Sequence, residues 1–316
     1  MNFVWAVNKG FFPFEFPEGV QQLDVNNIVV VSLVTLSFLA FPLIYTLFYN
    51  LRGKQKIFDI TIFSLGILLI LLEIFKQITY AKIYGTLGTF NYMWGILPLQ
   101  LCSLHMFLCP LVPFLKGKVK QSILIFIGLY AFIGGIAVLG FQAGLKVVLW
   151  GFFMEDGTVF GDWGMVVHTL LWHGILINLG AIIFGYLRLG DYSFSQIKMT
   201  TLDSWLICML FLLIAQGVNV LIPLLISGPY SKNINMWNIS FLQSSSMPVF
   251  GKLWDLWKIP IGDTGLAFRP FGILGTAIYA VLLYLGNLVV QTAIKLISKL
   301  VHKFQHVAVY TNDLRF

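Results

Sequence analysis

Residues 57–80 read IFDITIFSLGILLILLEIFKQITY. An apolar run of this length matches the ~20 residues a helix needs to cross the hydrocarbon core of a bilayer. The run is preceded by Arg52, Lys54 and Lys56, and within it only Asp59, Glu73 and Lys76 carry charge. In lipid every backbone N–H and C=O must find its partner inside the protein. A single segment achieves that only as a helix. This stretch therefore predicts a transmembrane helix.

Working outward from it, the segments 28–49, 93–115, 121–140, 166–187, 203–226 and 268–294 have the same character. The composition agrees: 58% of the chain is hydrophobic and 10% charged, against roughly a quarter charged in a soluble domain. The aromatic content of 29 Phe, 12 Tyr and 9 Trp suits lipid-facing walls and interfacial belts. The expected fold is all-α, a polytopic membrane helix bundle of about seven transmembrane helices over 28–294. It is flanked by an interfacial N-terminal segment, 1–27, and a basic cytoplasmic tail, 295–316. No internal repeat or low-complexity linker divides it. The first residues lack the basic and apolar pattern of a removable signal peptide. The net charge of +7 lies in short clusters between apolar runs, so nucleic acid is not the expected partner. Cys102, Cys109 and Cys208 all sit inside apolar segments and do not read as a disulfide framework.

Orientation follows from where the cations gather. Arg52, Lys54 and Lys56 separate spans one and two, and Lys116, Lys118 and Lys120 separate three and four. Arg188 and Lys198 lie between five and six, and Lys295, Lys299, Lys303 and Arg315 follow span seven. These connections alternate and are expected in the cytoplasm, with the N-terminus outside. The outer loops, 141–165 and 228–267, are rich in aromatic residues and fit headgroup-level anchors or surface helices. The run Lys252-Leu253-Trp254-Asp255-Leu256-Trp257-Lys258 is the clearest case.

An ionisable residue inside a span is costly and points to function. Counting at about 1.5 Å per residue puts Cys102 roughly 13 Å, and Glu73 and His173 roughly 10 Å, below the outer surface. Asn219 falls at a similar depth with Gln216 one turn deeper, and Arg269 stands at the outer rim. A thiol becomes a nucleophile when a neighbouring base takes its proton. His173 is the candidate base, Glu73 an orienting carboxylate, and Gln100 or Asn219 a donor to an oxyanion. His105, one turn beyond Cys102, competes with His173 for the role of base. Alternatives stand beside each assignment. Cys102 could be a packing residue, His173 could bond a backbone carbonyl, and Glu73 could pair with Lys76 and Gln77. Cys109 and Cys208 read as packing residues, and His168 as an interfacial histidine. His168 and His173 are five apart, unlike the i, i+4 pair of a zinc helix, so neither a metal nor another cofactor is expected.

The stretch Leu97-Pro98-Leu99-Gln100-Leu101-Cys102-Ser103 resembles the Leu-Pro-Leu-x-Leu-Cys signature of the YwaF-type integral membrane proteins of bacteria. Tyr130-Ala131-Phe132-Ile133-Gly134-Gly135 is similar to the aromatic and Gly-rich stretch of that family, and Leu171-Trp172-His173-Gly174 to its Ser-His-Gly element. The resemblance implies a multi-pass protein of the bacterial cell membrane with a facing Cys and His. An animal relative of the family is regarded as a cysteine-dependent acyltransferase acting on glycerophospholipids. Its nucleophile then falls on Cys102 and its histidine on His173. The family often carries a Pro-Asp element after span four, where this chain has Phe141-Gln142-Ala143-Gly144-Leu145-Lys146. The loop 228–267 is also longer than in the family, so the resemblance does not extend to substrate specificity.

The expected activity is a lipid acyltransferase, transacylase or lipase working through a thioester, with membrane phospholipid as donor or acceptor. His105, Gln100, Asn219 and Arg269 are the candidate substrate contacts. Two rivals remain: a transporter or small-ligand channel with a polar path through Glu73, His105 and His173, and a non-catalytic receptor or scaffold.

Overall fold

The computed structural model describes residues 28–86, 101–140, 163–225, 240–242, 255–262 and 264–313. The chain is an integral multi-pass membrane protein, and its described residues are all-α apart from one small hairpin. The described α-helices are α1 (Ile28–Asn50), α2 (Gln55–Thr86), α3 (Leu104–Leu108), α4 (Gly117–Leu139), α5 (Trp163–Leu187), α6 (Phe194–Leu225) and α7 (Pro270–Asp313). Among the described residues, all of these except α3 are long and apolar enough to cross a bilayer.

The third expected span, 93–115, is described only from Leu101 onward, and there the chain is not one regular helix. A 3-10 turn at Leu101–Ser103 leads into α3, and a second 3-10 stretch covers Cys109–Phe114. Pro110 and Pro113 lack the N–H that an α-helix would use, which accounts for the tighter winding. The turn closes with Leu115 N–H donating to the Val112 carbonyl at 3.2 Å.

Several helices overrun the apolar windows read from sequence. α6 was expected from 203 and begins at Phe194, because Ser193 and Gln196 form a reciprocal capping box. Gln196 N–H donates to Ser193 Oγ at 3.2 Å, and Ser193 N–H donates to Gln196 Oε1 at 2.7 Å. α7 continues past the expected end at 294 to Asp313. Its 44 residues measure about 66 Å, roughly twice the hydrocarbon thickness, so the basic tail is helical as far as Asp313.

The chain divides into two compact units. The first holds α1, α2 up to Thr79, α3 with the 3-10 stretch after it, α4 from Ile127, and α5. Within it α5 is the most enclosed span and packs along α1, whose Leu36, Leu39, Leu43 and Leu47 are left exposed, as suits a lipid-facing side. Phe58 of α2 stacks on Tyr186 of α5, with ring centroids 3.8 Å apart.

The second unit holds the first turns of α4, α6, the hairpin and α7. Strands β1 (Ile259–Pro260) and β2 (Ala267–Phe268) pair antiparallel, with Gly262 and Gly265 supplying the positive φ angles of the turn. Arg269 ties this hairpin to the head of α7. Its Nε donates to Asp255 at 3.0 Å, and its Nη1 donates to the Ala267 carbonyl at 3.0 Å and to the Leu242 carbonyl.

Candidate functional site

In the first unit, α2 and α5 bring a group of polar residues to one level. Phe75 of α2 and His168 of α5 stack with centroids 6.5 Å apart, which aligns residues 73–77 with 168–173. Glu73 is 6% exposed. Its Oε1 accepts from Lys76 Nζ at 2.7 Å and from Gln77 Nε2 at 2.6 Å, the i+3 and i+4 neighbours on the same helix face. A buried carboxylate without such partners would carry a heavy desolvation cost.

His173 is buried, and its Nδ1 lies 2.8 Å from the Thr169 carbonyl. A carbonyl only accepts, so Nδ1 carries the proton and the neutral ring keeps its lone pair on Nε2. That tautomer is the one a general base requires. The orienting contact expected from Glu73 is therefore made at Nδ1 by the backbone of the same helix, while Glu73 is held by Lys76 and Gln77.

Close packing on both sides fixes the His173 backbone. A Cβ at Gly174 would run into Ser37 Oγ of α1. A Cβ at Gly135 of α4 would lie 2.8 Å from the His173 carbonyl and 2.5 Å from Ile177 Cγ1. The glycines of Gly134-Gly135 and His173-Gly174 thus include two positions where any side chain would push α1 or α4 off α5.

His168 was read from sequence as an inexpensive interfacial residue. It is 6% exposed, between Phe75 and Trp172, and faces Leu72 and Lys76 of α2. The signal that would have found it is the helix start: α5 begins at Trp163, so His168 is already in the second turn. His105 of α3 is fully buried in the same unit.

The second unit contains Cys102, Asn219 and Arg269. Cys102 is half-buried in the 3-10 turn, and its thiol and that of Cys208 are electrostatic neighbours of the Tyr279 hydroxyl. Asn219 is fully buried on α6, on the face that also buries Gln216, Cys208 and Ser204. Cys109 and Cys208 are both 0% exposed, in keeping with packing roles. Gln100, the segment 1–27 and loop residues 141–162 lie outside the described residues. Among the described residues no three His, Cys, Asp or Glu side chains gather as a metal site.

No family model, curated protein or solved structure matches the chain.

Span seven holds the other polar groups that sequence reading passed over. Asn287 and Gln291 are buried on α7 at i and i+4, a spacing visible in the sequence as two amides on one face of an apolar helix.

Proposed function

We propose that the protein is a membrane-embedded lipid acyltransferase or transacylase that uses Cys102 as nucleophile and His173 as base, acting on phospholipid in a bacterial cell membrane. The observation that carries this reading is the bond from His173 Nδ1 to the Thr169 carbonyl, which leaves Nε2 as a proton acceptor in a buried site. The choice of Cys102 rests on its sequence motif and on the depth it is expected to share with His173.

In the proposed reaction His173 Nε2 takes the Cys102 proton, and the thiolate attacks an acyl ester carbonyl. The tetrahedral oxyanion collapses to a thioester, and the departing alkoxide takes the proton from the imidazolium. In the second half His173 deprotonates an acceptor hydroxyl, whose oxygen displaces the thiol, and the proton returns to sulfur. Water as acceptor makes the same site a lipase. With the N-terminus outside, the site opens toward the outer leaflet. A phospholipid then supplies the acyl group more readily than a soluble cytosolic donor.

The test is turnover of a fluorescent phospholipid in proteoliposomes, together with labelling by a thiol-directed lipid probe. Cys102→Ala is expected to abolish both. His173→Gln is expected to keep the thiol but slow turnover by about 10²–10⁴-fold, the usual worth of a positioned base. Undiminished turnover in Cys102→Ala overturns the proposal.

A further inference from the structure

In the first unit, α2 and the 3-10 stretch Cys109–Phe114 meet deep in the span and part toward the Arg52–Lys56 end. At the contact, a Cβ on Gly66 would lie 2.5 Å from Pro110 Cδ and 2.9 Å from Cys109 Cβ. Outward from it runs a groove of about 570 Å³, lined by Phe63, Ile60, Asp59, Lys56 and Gln55 of α2 and by Pro113. That volume is within the ~300–1,000 Å³ of ordinary small-molecule sites. Gln55 opens both α2 and its apolar span. The groove therefore starts at headgroup level and reaches about 12 Å into the hydrocarbon at Phe63.

Its two ends differ in chemistry. The deep end is apolar, with Ile60 55% and Phe63 38% exposed beside Pro113. Such a surface takes a hydrocarbon chain and gives nothing to a water-soluble ion. The outer end is cationic. Arg52, Lys54 and Lys56 are all exposed, and the first turn of α2 holds no acidic residue to offset the positive end of its dipole. Against them stands Asp59, which accepts from Gln55 Nε2 at 3.4 Å. Arg52 and Asp59 are both electrostatic neighbours of the Tyr186 hydroxyl, so Arg52 offsets this carboxylate. Lys54 and Lys56 remain as surplus positive charge.

We propose that this groove binds one anionic phospholipid of the leaflet on its own side, the cytoplasmic one by the placement of cations. The phosphodiester sits at Lys56 and the first N–H groups of α2. An acyl chain runs inward over Ile60, Phe63 and Pro113 to the Gly66–Pro110 contact. Surplus positive charge at the mouth favours a headgroup of net negative charge over a zwitterion, whose own ammonium would face Lys54 and Lys56. The site lies at the other end of α2 from Glu73 and is independent of the Cys102 and His173 chemistry.

Native mass spectrometry of the full-length protein tests it, with palmitoyl-oleoyl phosphatidylglycerol and phosphatidylcholine of the same chains as probes. Phosphatidylglycerol is expected to bind about tenfold more tightly at a first, saturable site. Lys56→Gln should weaken it roughly five-fold, the worth of one basic residue near an anionic headgroup, and leave phosphatidylcholine unchanged. Lys56 is exposed, so folding is not at stake in that variant. Ile60→Trp, which fills the apolar end, should bring phosphatidylglycerol down to the phosphatidylcholine level. Lys198→Gln removes an exposed cation of α6 that is no part of the groove lining, and should change neither lipid. Equal affinity for the two lipids overturns the proposal and leaves ordinary lipid contact. Equal weakening by Lys56→Gln and Lys198→Gln overturns it too, because the attraction is then that of the whole basic surface. So does phosphatidylglycerol binding that Ile60→Trp leaves intact, since no acyl chain then occupies the groove. Displacement of the lipid by glycerol phosphate would give the groove to a soluble phosphate ester, and a lipid-free dimer broken by Ile60→Trp would give it to a second copy. Either result overturns the proposal.

Discussion

Glu73 shows how a single buried charge is made tolerable by its own helix. Lys76 at i+3 and Gln77 at i+4 both reach Oε1, an arrangement already readable from the spacing Glu-x-x-Lys-Gln. Removing one partner of a buried pair is worse than removing both, because the survivor stays desolvated. Glu73→Ala is therefore expected to cost about 3 kcal/mol, the lower end for such pairs, since Lys76 keeps 19% of its side chain exposed. The double variant Glu73→Leu with Lys76→Leu should recover most of that loss. Thermal unfolding in detergent measures both, and a single variant as stable as the wild type would show that the pair is solvated. His173 illustrates the opposite case. Its residue type and depth were legible, but the partner of Nδ1 was not, because Thr169 contributes a backbone carbonyl that every residue possesses.

At the scale of elements, hydropathy found the spans, and capping and packing set their limits. The capping box of Ser193 and Gln196 starts α6 well before the apolar window, although Ser-x-x-Gln is itself a sequence signal. α3 and the 3-10 stretch after it depart from a regular span where Pro110 and Pro113 remove donors. Glycines decide how closely α5 meets its neighbours in the first unit. Gly135→Val places methyl groups against Ile177 and the His173 carbonyl, so α4 and α5 have to separate. A destabilisation of about 1–3 kcal/mol is expected from overpacking of this kind. The same variant should slow phospholipid turnover by shifting His173. Unchanged unfolding temperature together with unchanged turnover would remove the packing role assigned to Gly135.

For the molecule as a whole, the informative property is orientation. The cation clusters predict that the turn at Gly53 and Lys54 lies in the cytoplasm and that the hairpin turn at Thr264 lies outside. Both turns are exposed, and a cysteine in either reports its side of the membrane. In intact cells carrying a background without native cysteines, Thr264→Cys is expected to react with a membrane-impermeant maleimide. Lys54→Cys should react only after permeabilisation. The reverse pattern would invert the topology, place the His173 level in the inner leaflet and make a cytosolic acyl donor accessible.

The membrane-spanning, all-α character of this protein followed from composition and apolar run length alone. The physical reason is that lipid forces each span to satisfy its own backbone, so a local signal suffices for 57–80 and for the five other long helices. The fate of the individual polar side chains followed only from tertiary structure. His168 and His173 look alike in sequence, five residues apart on one apolar helix. Packing against α2 placed His168 between Phe75 and Trp172, while a carbonyl of its own helix set the tautomer of His173. Asn287 and Gln291 likewise share one face of α7, yet the register with α6 satisfied Gln291, while among the described residues Asn287 finds no hydrogen-bond partner. Hydrogen bonding is short-ranged and directional, so which amide finds a partner depends on a neighbouring helix that the local sequence does not specify.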